Sequence, residues 1–567
     1  MSSRYVRLSE TSNKELCSPA YSWAATSLLT VLIWFQSPVW CMGLLWIGLG
    51  LALSLVGETL KRGDLKWQTF ALVLISFVRA LDVSFAPTSL FHHLTYRLIS
   101  VSLTATGIYL LARWAPRAEI RPIYTVAGTV LLTVLAYQEA PTPWIPVAWI
   151  SLALVLGAAA RLWTDRALLW QTHALSLLAA GWTLYASFAP QYQGTRVQLI
   201  SVVLTAGSLY LLNWITDIAE IVGDARIPMT YSWAGSLLLS WLIWYQLPPI
   251  DVSLVWGVFG LALFMIGDWK SWSFLRIQAY VALTCSFAHI FYANFNVLST
   301  SGAARPEVFT VIPLVGIYFF VYWQLHAKKT QGTLLESRIR IEDLLACLGT
   351  ATLAALGRFE LPTESVAIGY AALVIATLLA ARFTRLQVFI YQALALLGMA
   401  AFRLSMNNFY HLRDAFGSNL SSALWTIGVL AAGVPICLSI RRNGDQEFTG
   451  PRWAALLAKR SEQPMFFVPF VLLAVLLALK VAPGMITLAW GMEAVVVFVL
   501  ALWAKERSFR LAALALLLLS AAKIILWDVW QLNDPTARYL TLIGVGLLIL
   551  IVSYLISRNR EALREYL

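Results

Sequence analysis

The sequence predicts an all-α polytopic membrane protein with about twenty transmembrane helices in five tandem four-helix repeats. The composition and the long apolar runs predict a membrane protein, and recurring motifs predict the five repeats. The 567-residue chain is 59% hydrophobic and only 12% charged, whereas soluble domains are about 25% charged. Apolar runs of about 16–22 residues follow one another from Tyr21 almost to the end, and each can cross roughly 30 Å of hydrocarbon. This composition excludes soluble enzymes, disordered proteins and secreted disulfide scaffolds.

The elements begin with a polar segment at residues 1–20, which lacks a signal-peptide pattern and is predicted to be cytoplasmic. In the first repeat, four helices named a to d are predicted at about 21–37, 39–57, 67–86 and 97–115. The five repeats are predicted at residues 21–122, 123–230, 231–342, 343–463 and 464–567.

Two kinds of marker support the duplication. Residues 21–37 read YSWAATSLLTVLIWFQS, and residues 231–247 read YSWAGSLLLSWLIWYQL. A Gln also precedes a Phe by 17 residues, with one apolar span between them, at Gln68/Phe85, Gln171/Phe188, Gln278/Phe295 and Gln392/Phe409. The fifth copy has lost this marker Gln. The first three d helices share a late Tyr, namely Tyr109, Tyr210 and Tyr318.

Lys and Arg residues predict the orientation, because cytoplasmic loops are enriched in them. The b–c loops, the junctions between repeats and both termini lie on one side and hold 31 of the 41 Lys and Arg residues. The opposite loops hold seven, and the predicted spans hold three. We therefore expect both termini in the cytoplasm. The net charge of +12 then reflects this asymmetry and contact with anionic lipid heads, and not nucleic-acid binding.

A polar belt is predicted in the outer half of the bundle. Eleven residues after each marker position, helix c carries Arg79, Trp182, His289, Arg403 and Lys523. Asp82 follows Arg79 by three residues, so the two share a helix face and can pair. Helix c ends with Ser84, Ser187, Asn294, Asn408 and Asp528, and the d helices open near Arg97, Arg196, Arg305, Arg413 and Arg538. The c–d loops carry His92, His93 and His411, and Glu493 is expected about four residues into the fifth b span.

Three interpretations of this belt remain open. In the first, the cations are structural, reach to the interface and anchor helices c and d. In the second, the belt lines a cavity that holds a phosphate or carboxylate. In the third, Glu493, Lys523 and Asp528 relay protons. Lys523 and Asp528 are about 140° apart around an α-helix, so they are predicted not to pair with each other. The candidate ligand-binding residues are Glu493, Lys523, Asp528, Arg538, Arg79, Asp82, Arg97, His289 and Arg403.

Other chemistry is not indicated by the sequence. Five Cys and six His residues are too scattered for a disulfide framework or a metal site. A phosphate-binding G-x-x-x-x-G-K-[ST] motif and a G-x-S-x-G nucleophile elbow do not occur. We therefore expect no cofactor, no metal and no assigned catalytic residue.

The last repeat resembles a known family. A W-G-x-E span carries Trp490, Gly491 and Glu493, the next span ends in K-x-x-x-x-D, and an Arg opens a final Gly- and Leu-rich span. This pattern over residues 489–561 resembles the end of a large bacterial family of predicted membrane proteins, domain of unknown function 2339. Ala494 stands where the family pattern has Gly. The resemblance implies a bacterial inner-membrane protein of many helices, and it implies no activity.

Two functions follow as hypotheses. The first is a non-enzymatic scaffold or transport-type membrane protein whose outer belt meets an anionic lipid, a lipid-linked glycan or a periplasmic partner. The alternative is an integral-membrane enzyme on a lipid-linked substrate, with Glu493, Lys523 and Asp528 as acid and base groups. Five near-equal repeats favour the first. Expected partners are membrane lipids, together with membrane or periplasmic proteins, and nucleic acid is not expected.

Overall fold

The computed structural model is helical, as the sequence predicts. It describes residues 2–85, 90–91, 94–115, 117–192, 195–217, 226–294, 306–327, 340–410, 418–442, 452–482, 485–531 and 535–558. In these residues the one β-ladder pairs Leu90–Phe91 (β1) with Leu94–Thr95 (β2) in antiparallel fashion.

The helices match the predicted order. Predicted repeats one and two contain α1 (Ser2–Gln36), α2 (Met42–Thr59), α3 (Gly63–Phe85), α4 (Tyr96–Leu111), α5 (Arg121–Glu139), α6 (Ile145–Trp163), α7 (Arg166–Trp182) and α8 (Arg196–Asp217). Helix α1 begins well before the predicted first span. Predicted repeat three contains α9 (Arg226–Gln246), α10 (Pro249–Trp269), α11 (Ser273–His289) and α12 (Pro306–Ala327).

The C-terminal helices continue this pattern. They are α13 (Ile341–Glu360), α14 (Val366–Thr384), α15 (Gln387–Arg403), α16 (Ser418–Arg442), the short α17 (Arg452–Lys459), α18 (Glu462–Lys480), α19 (Ile486–Ala504), α20 (Arg507–Lys523) and α21 (Pro535–Arg558).

Thirteen helices in the described part of the chain are long and apolar enough to cross a membrane. They include all four helices of predicted repeat five and the b helix of every predicted repeat. The a helices of predicted repeats one to four are outside this set, and each carries polar side chains described below. Apart from the short β-ladder, the regular structure of the described residues is helical, with many candidate membrane spans.

The helices form two compact bodies. The N-terminal body comprises residues 1–256 and 265–282, and the C-terminal body comprises residues 257–264 and 283–567. Within each body the same packing order recurs: a b helix packs on the following c and d helices, and a d helix packs on the next a helix. In the N-terminal body, for example, α6 packs on α7 and α8, and α8 packs on α9.

The b–c turns share an unusual backbone conformation. A non-glycine residue adopts a left-handed φ of 51–60° in each of these turns, at Lys61, Thr164, Ser271, Arg385 and Lys505. Such residues are uncommon, because Cβ approaches the following carbonyl oxygen and costs about 1–2 kcal/mol. The first residue of helix c lies two positions further on in each case, so all five turns present helix c in the same way.

Four of the c helices end in a wider turn. Immediately after Trp182, His289, Arg403 and Lys523 the chain adopts π-helical geometry, over Thr183–Ser187, Ile290–Asn294, Leu404–Phe409 and Ile524–Asp528. A π-helical turn closes hydrogen bonds from residue i to i+5 and is often found at functional sites. The predicted belt position on helix c therefore directly precedes a local change of helical geometry.

Close approach of each d helix to the next a helix depends on glycine. A Cβ at Gly128 would lie 2.8 Å from the ring of Tyr109, and one at Gly235 would lie 3.1 Å from the ring of Tyr210. At Gly349 the neighbouring ring is Phe319, at 3.0 Å. The predicted match of Tyr318 to Tyr109 and Tyr210 is therefore wrong by one residue, and the Tyr318 hydroxyl donates to the Leu283 carbonyl instead.

Candidate functional sites

Each marker Gln holds two hydrogen-bonding side chains of its own a helix. Gln171 on α7 accepts from the Thr129 hydroxyl at 2.5 Å and donates to the Thr125 hydroxyl at 2.8 Å. The same arrangement occurs at Gln68 with Thr26 and Ser22, at Gln278 with Ser236 and Ser232, and at Gln392 with Thr350 and the Cys347 thiol. The accepted hydroxyl lies 42 residues before the Gln in all four cases. We call this arrangement the glutamine clamp.

Tyrosines extend two of the clamps to the preceding d helix. Tyr109 on α4 is 2.6 Å from the Thr129 hydroxyl, and Tyr210 on α8 is 2.6 Å from the Ser236 hydroxyl. Each network thus joins three helices through hydrogen bonds between side chains, which stabilises one register of the bundle.

In the fifth predicted repeat aromatic side chains replace the clamp. The repeats can be aligned on a hydrogen bond in which a Trp on helix b donates to a carbonyl 16 residues earlier on helix a. This bond occurs at Trp46, Trp149, Trp256 and Trp490. Counted from Trp490, the three clamp positions hold Phe466, Phe470 and Ala512. Phe466 stacks on Phe470 and on Phe509, with ring centroids 5.5 and 3.9 Å apart. The amide and both hydroxyls are lost together, so no clamp member is left behind without its partners.

The predicted belt position belongs to an aromatic and basic cluster. The Arg79 guanidinium lies over the Trp34 ring at 5.3 Å, and Trp34 stacks on Trp46. In predicted repeat two, Trp182 contacts Tyr137 and Trp149 at 5.5 and 5.7 Å. In predicted repeats one and two the cluster takes one side chain from each of helices a, b and c, at 34 and 22 residues before the marker Gln and 11 after it.

The belt charges of predicted repeat one neutralise one another. Arg79 forms the predicted ion pair with Asp82 on the same helix face. Arg97 pairs with Glu139 at 2.7 Å, and Thr95 donates to the same carboxylate oxygen at 2.6 Å. This second pair links α4 to α5, so Arg97 connects two elements of the protein.

Lys523 and Asp528 do pair, contrary to the sequence prediction. The Lys523 ammonium lies 2.8 Å from Asp528 Oδ1, and both groups hydrogen-bond the Thr487 hydroxyl. The prediction assumes α-helical geometry, in which residues five apart diverge. The π-helical turn over Ile524–Asp528 winds less per residue and brings the two side chains to one face.

The cluster of predicted repeat four differs, because it holds two arginines. Arg358 occupies the helix a position of Trp34, and Arg403 occupies the helix c position. The charges of Arg358 and Arg403 act on each other and on the hydroxyl of Tyr370, the helix b member. Arg403 donates to the Thr363 carbonyl at 3.2 Å. Among the described residues, neither arginine forms an ion pair.

Two further predicted site residues, His289 and Arg538, lie among the described residues. His289 is buried beside Tyr292, with ring centroids 6.1 Å apart. Arg538 lies in the first turn of α21. His92, His93, His411, Arg305 and Arg413 lie outside the described residues. In the part of the chain that the structure describes, no three His, Cys, Asp or Glu side chains are grouped to hold a metal ion.

Glu493 lies apart from the Lys523–Asp528 pair. It is the eighth residue of the nineteen in α19, near the helix centre, and not four residues from the span end as predicted. Its side chain is 6% exposed, and neither carboxylate oxygen has a hydrogen-bond partner among the described residues. It lines an apolar cleft of about 620 Å³ formed by α16, α18 and α19. The acid and base groups of the predicted enzyme site therefore do not converge.

Two sequence signals could have located these sites. Pairs of small hydrogen-bonding residues precede each marker Gln by 42 and by 45 or 46 residues, which would have identified the clamps. Three residues after the helix b aromatic, the other repeats carry Leu49, Leu152, Phe259 and Leu373, where the fifth has Glu493. This comparison singles out Glu493 as an added acidic residue.

Comparison with known families agrees with the resemblance in the last repeat. Residues 279–559 match the family described as predicted membrane protein (DUF2339). The match covers the C-terminal part of the chain, including Arg358, Arg403, Glu493 and Lys523. No curated protein matches the chain. The DUF2339 match therefore supports a multi-span membrane protein and assigns no activity.

Proposed function

We propose that the protein is a non-enzymatic bacterial inner-membrane protein, built of five tandem four-helix repeats, that binds the anionic head group of a lipid on its non-cytoplasmic face. The observation that carries the binding role is the pair of arginines in predicted repeat four. Arg358 and Arg403 interact electrostatically and have no carboxylate partner among the described residues. A phosphate group between them would supply the missing negative charge, since guanidinium groups bind phosphate in a bidentate manner.

Three other belt cations support this choice by contrast. Arg79, Arg97 and Lys523 each have a protein carboxylate as partner. Predicted repeats one and five carry opposite charges together, but paired charges leave little attraction for a ligand. We therefore place the binding role in predicted repeat four, where two arginines of one cluster have no carboxylate partner among the described residues.

Several recurring features support the repeat architecture. The glutamine clamps, the Trp-to-carbonyl bonds and the left-handed turn residues recur in register with one another. Their spacing is consistent with repeats beginning at 21, 123, 231, 343 and 464. Duplication yields several similar scaffolds, whereas catalysis needs one site. We therefore favour a binding or transport-type role over an enzyme.

Lipid binding can be tested with the purified protein in nanodiscs that contain phosphatidylcholine and a small fraction of phosphatidylglycerol. Native mass spectrometry would count the retained phosphatidylglycerol. We expect the double substitution Arg358→Gln and Arg403→Gln to weaken its retention about tenfold, because two charge-assisted hydrogen bonds are lost.

The matched control is Arg79→Gln, which removes a cation from the same helix position in predicted repeat one. Because Asp82 already neutralises Arg79, this variant should retain phosphatidylglycerol like the wild type. An equal loss in both variants, or no loss in the double variant, contradicts a site in predicted repeat four.

A further inference from the structure

The cleft beside Glu493 combines an apolar lining with one acidic group. Phe466 and Phe470 on α18, Trp503 on α19 and Phe509 on α20 line it together with aliphatic side chains. Glu493 is the single ionisable side chain among the described lining residues. The cleft is therefore chemically unlike the arginine site proposed above.

The position of Glu493 excludes a purely structural explanation by pairing. Both carboxylate oxygens are buried and have no hydrogen-bond partner among the described residues, and the residue is only 6% exposed. Other buried carboxyl groups of the C-terminal body do have partners: Glu462 pairs with Arg441, and Asp528 pairs with Lys523. A buried carboxyl group without a partner marks a place where a ligand can supply a positive charge or a hydrogen bond.

The fifth predicted repeat has lost its glutamine clamp where the cleft has formed. Phe466 and Phe470 stand at the two clamp positions of helix a, and both rings line the cleft. Glu493 stands where the other repeats have Leu or Phe. Two independent changes, one that adds aromatic surface and one that adds a carboxyl group, thus meet in one cavity.

We propose that this cleft binds a lipophilic cation, with Glu493 as its counter-ion. A carboxylate attracts a cation, aromatic faces attract cations through their quadrupoles, and apolar walls bind a hydrophobic body. Glu493 is grouped by sequence with the belt residues that are predicted to bind an anionic ligand. The Glu493 carboxylate would repel such a ligand. The proposal concerns a separate site and does not depend on the arginine pair.

The test uses two ions of the same shape and opposite charge, tetraphenylphosphonium and tetraphenylborate. Equilibrium dialysis with the full-length protein in phosphatidylcholine nanodiscs would measure their binding. We expect saturable binding of tetraphenylphosphonium, at least about tenfold weaker in Glu493→Gln, and no saturable binding of tetraphenylborate. The matched control is Glu506→Gln, which removes a carboxylate directly after α19 that pairs with Arg441 outside the cleft; it should bind like the wild type.

Two further measurements do not depend on the Glu493 variant. Ala489 lies one turn before Glu493 and lines the same cleft, so Ala489→Phe should exclude tetraphenylphosphonium with the carboxylate intact. In the wild type, dicyclohexylcarbodiimide adds the Glu493 carboxylic acid across its C=N bond, and rearrangement leaves a stable N-acylurea that peptide mass spectrometry detects. Tetraphenylphosphonium should protect Glu493 from this modification.

Clear results would overturn the proposal. Unchanged tetraphenylphosphonium binding in Glu493→Gln or Ala489→Phe would place the ion elsewhere. Equal saturable binding of tetraphenylborate would show that the cleft selects apolar bulk and not charge. Modification of Glu493 at the same rate with and without tetraphenylphosphonium would show that the cation does not occupy the cleft.

Discussion

At the scale of single residues, the polar side chains of a glutamine clamp occur together or are absent together. A marker Gln occurs with two hydrogen-bonding side chains on helix a, and where the Gln becomes Ala512 both partners become Phe. Losing only one member would leave a buried donor or acceptor unpaired, which costs about 1–3 kcal/mol. The members of a clamp therefore change together.

The clamp at Gln171 gives a direct test. Replacing Gln171 with Leu leaves the hydroxyls of Thr125 and Thr129 without the amide, and we expect the free energy of unfolding to fall by about 1–2 kcal/mol. Unfolding in dodecyl sulfate, followed by tryptophan fluorescence, would measure this change. Gln191→Leu is the matched control, because Gln191 is exposed in the c–d loop. Equal stability of the two variants would show that the clamp contributes nothing.

At the scale of helices, the sequence reveals spacing better than local geometry. The 17-residue interval between Gln and Phe identifies four c helices, and the recurring clamp contacts lie on them. The π-helical turns after Trp182 and Lys523 cannot be anticipated from 3.6-residue periodicity, because that periodicity describes an α-helix, whereas a π-helical turn bonds residue i to residue i+5. The pairing of Lys523 with Asp528 is hidden in the sequence for this reason.

The depth of Glu493 is also hard to predict from sequence. The predicted fifth b span begins too near Glu493, whereas α19 begins at Ile486. A continuous apolar run hides where one helix ends and the next begins, because both flanking segments have the same composition. The functional consequence is large, since a carboxyl group near a helix centre lies deeper than one near a helix end.

The Lys523–Asp528 pair tests the role of the last π-helical turn. Lys523→Met should lower the free energy of unfolding by about 3 kcal/mol, because it leaves a buried carboxylate without its cation. Adding Asp528→Asn should restore most of the loss, since the amide can still bond Thr487 and carries no charge. Stability would be measured by the same dodecyl sulfate titration. Losses that simply add in the double variant would show that the two residues do not act as a pair.

At the scale of the whole molecule, each predicted repeat contacts the next one along the chain. Arg97 joins α4 to α5, Tyr210 joins α8 to α9, and Phe319 on α12 packs at Gly349 on α13. Each contact connects a d helix to the a helix that follows. In repeat proteins such nearest-neighbour interfaces carry much of the stability, so a repeat is supported by the next one along the chain.

The orientation of this arrangement in the membrane is the last prediction. The b–c turns and junctions are rich in Lys and Arg, and such loops are retained in the cytoplasm. Green fluorescent protein, which folds in the cytoplasm but not after export in an unfolded state, should fluoresce when fused after Leu567. Alkaline phosphatase, which needs an oxidising compartment for its disulfides, should be active when inserted near Pro190 and inactive when inserted near Ser271. The reverse pattern of fluorescence and phosphatase activity would show that the protein has the opposite orientation, with Arg358 and Arg403 on the cytoplasmic side. Phosphatase activity on both sides of one predicted span would instead show that this helix does not cross the membrane. The number of spans would then no longer be even, and the predicted orientation depends on an even number.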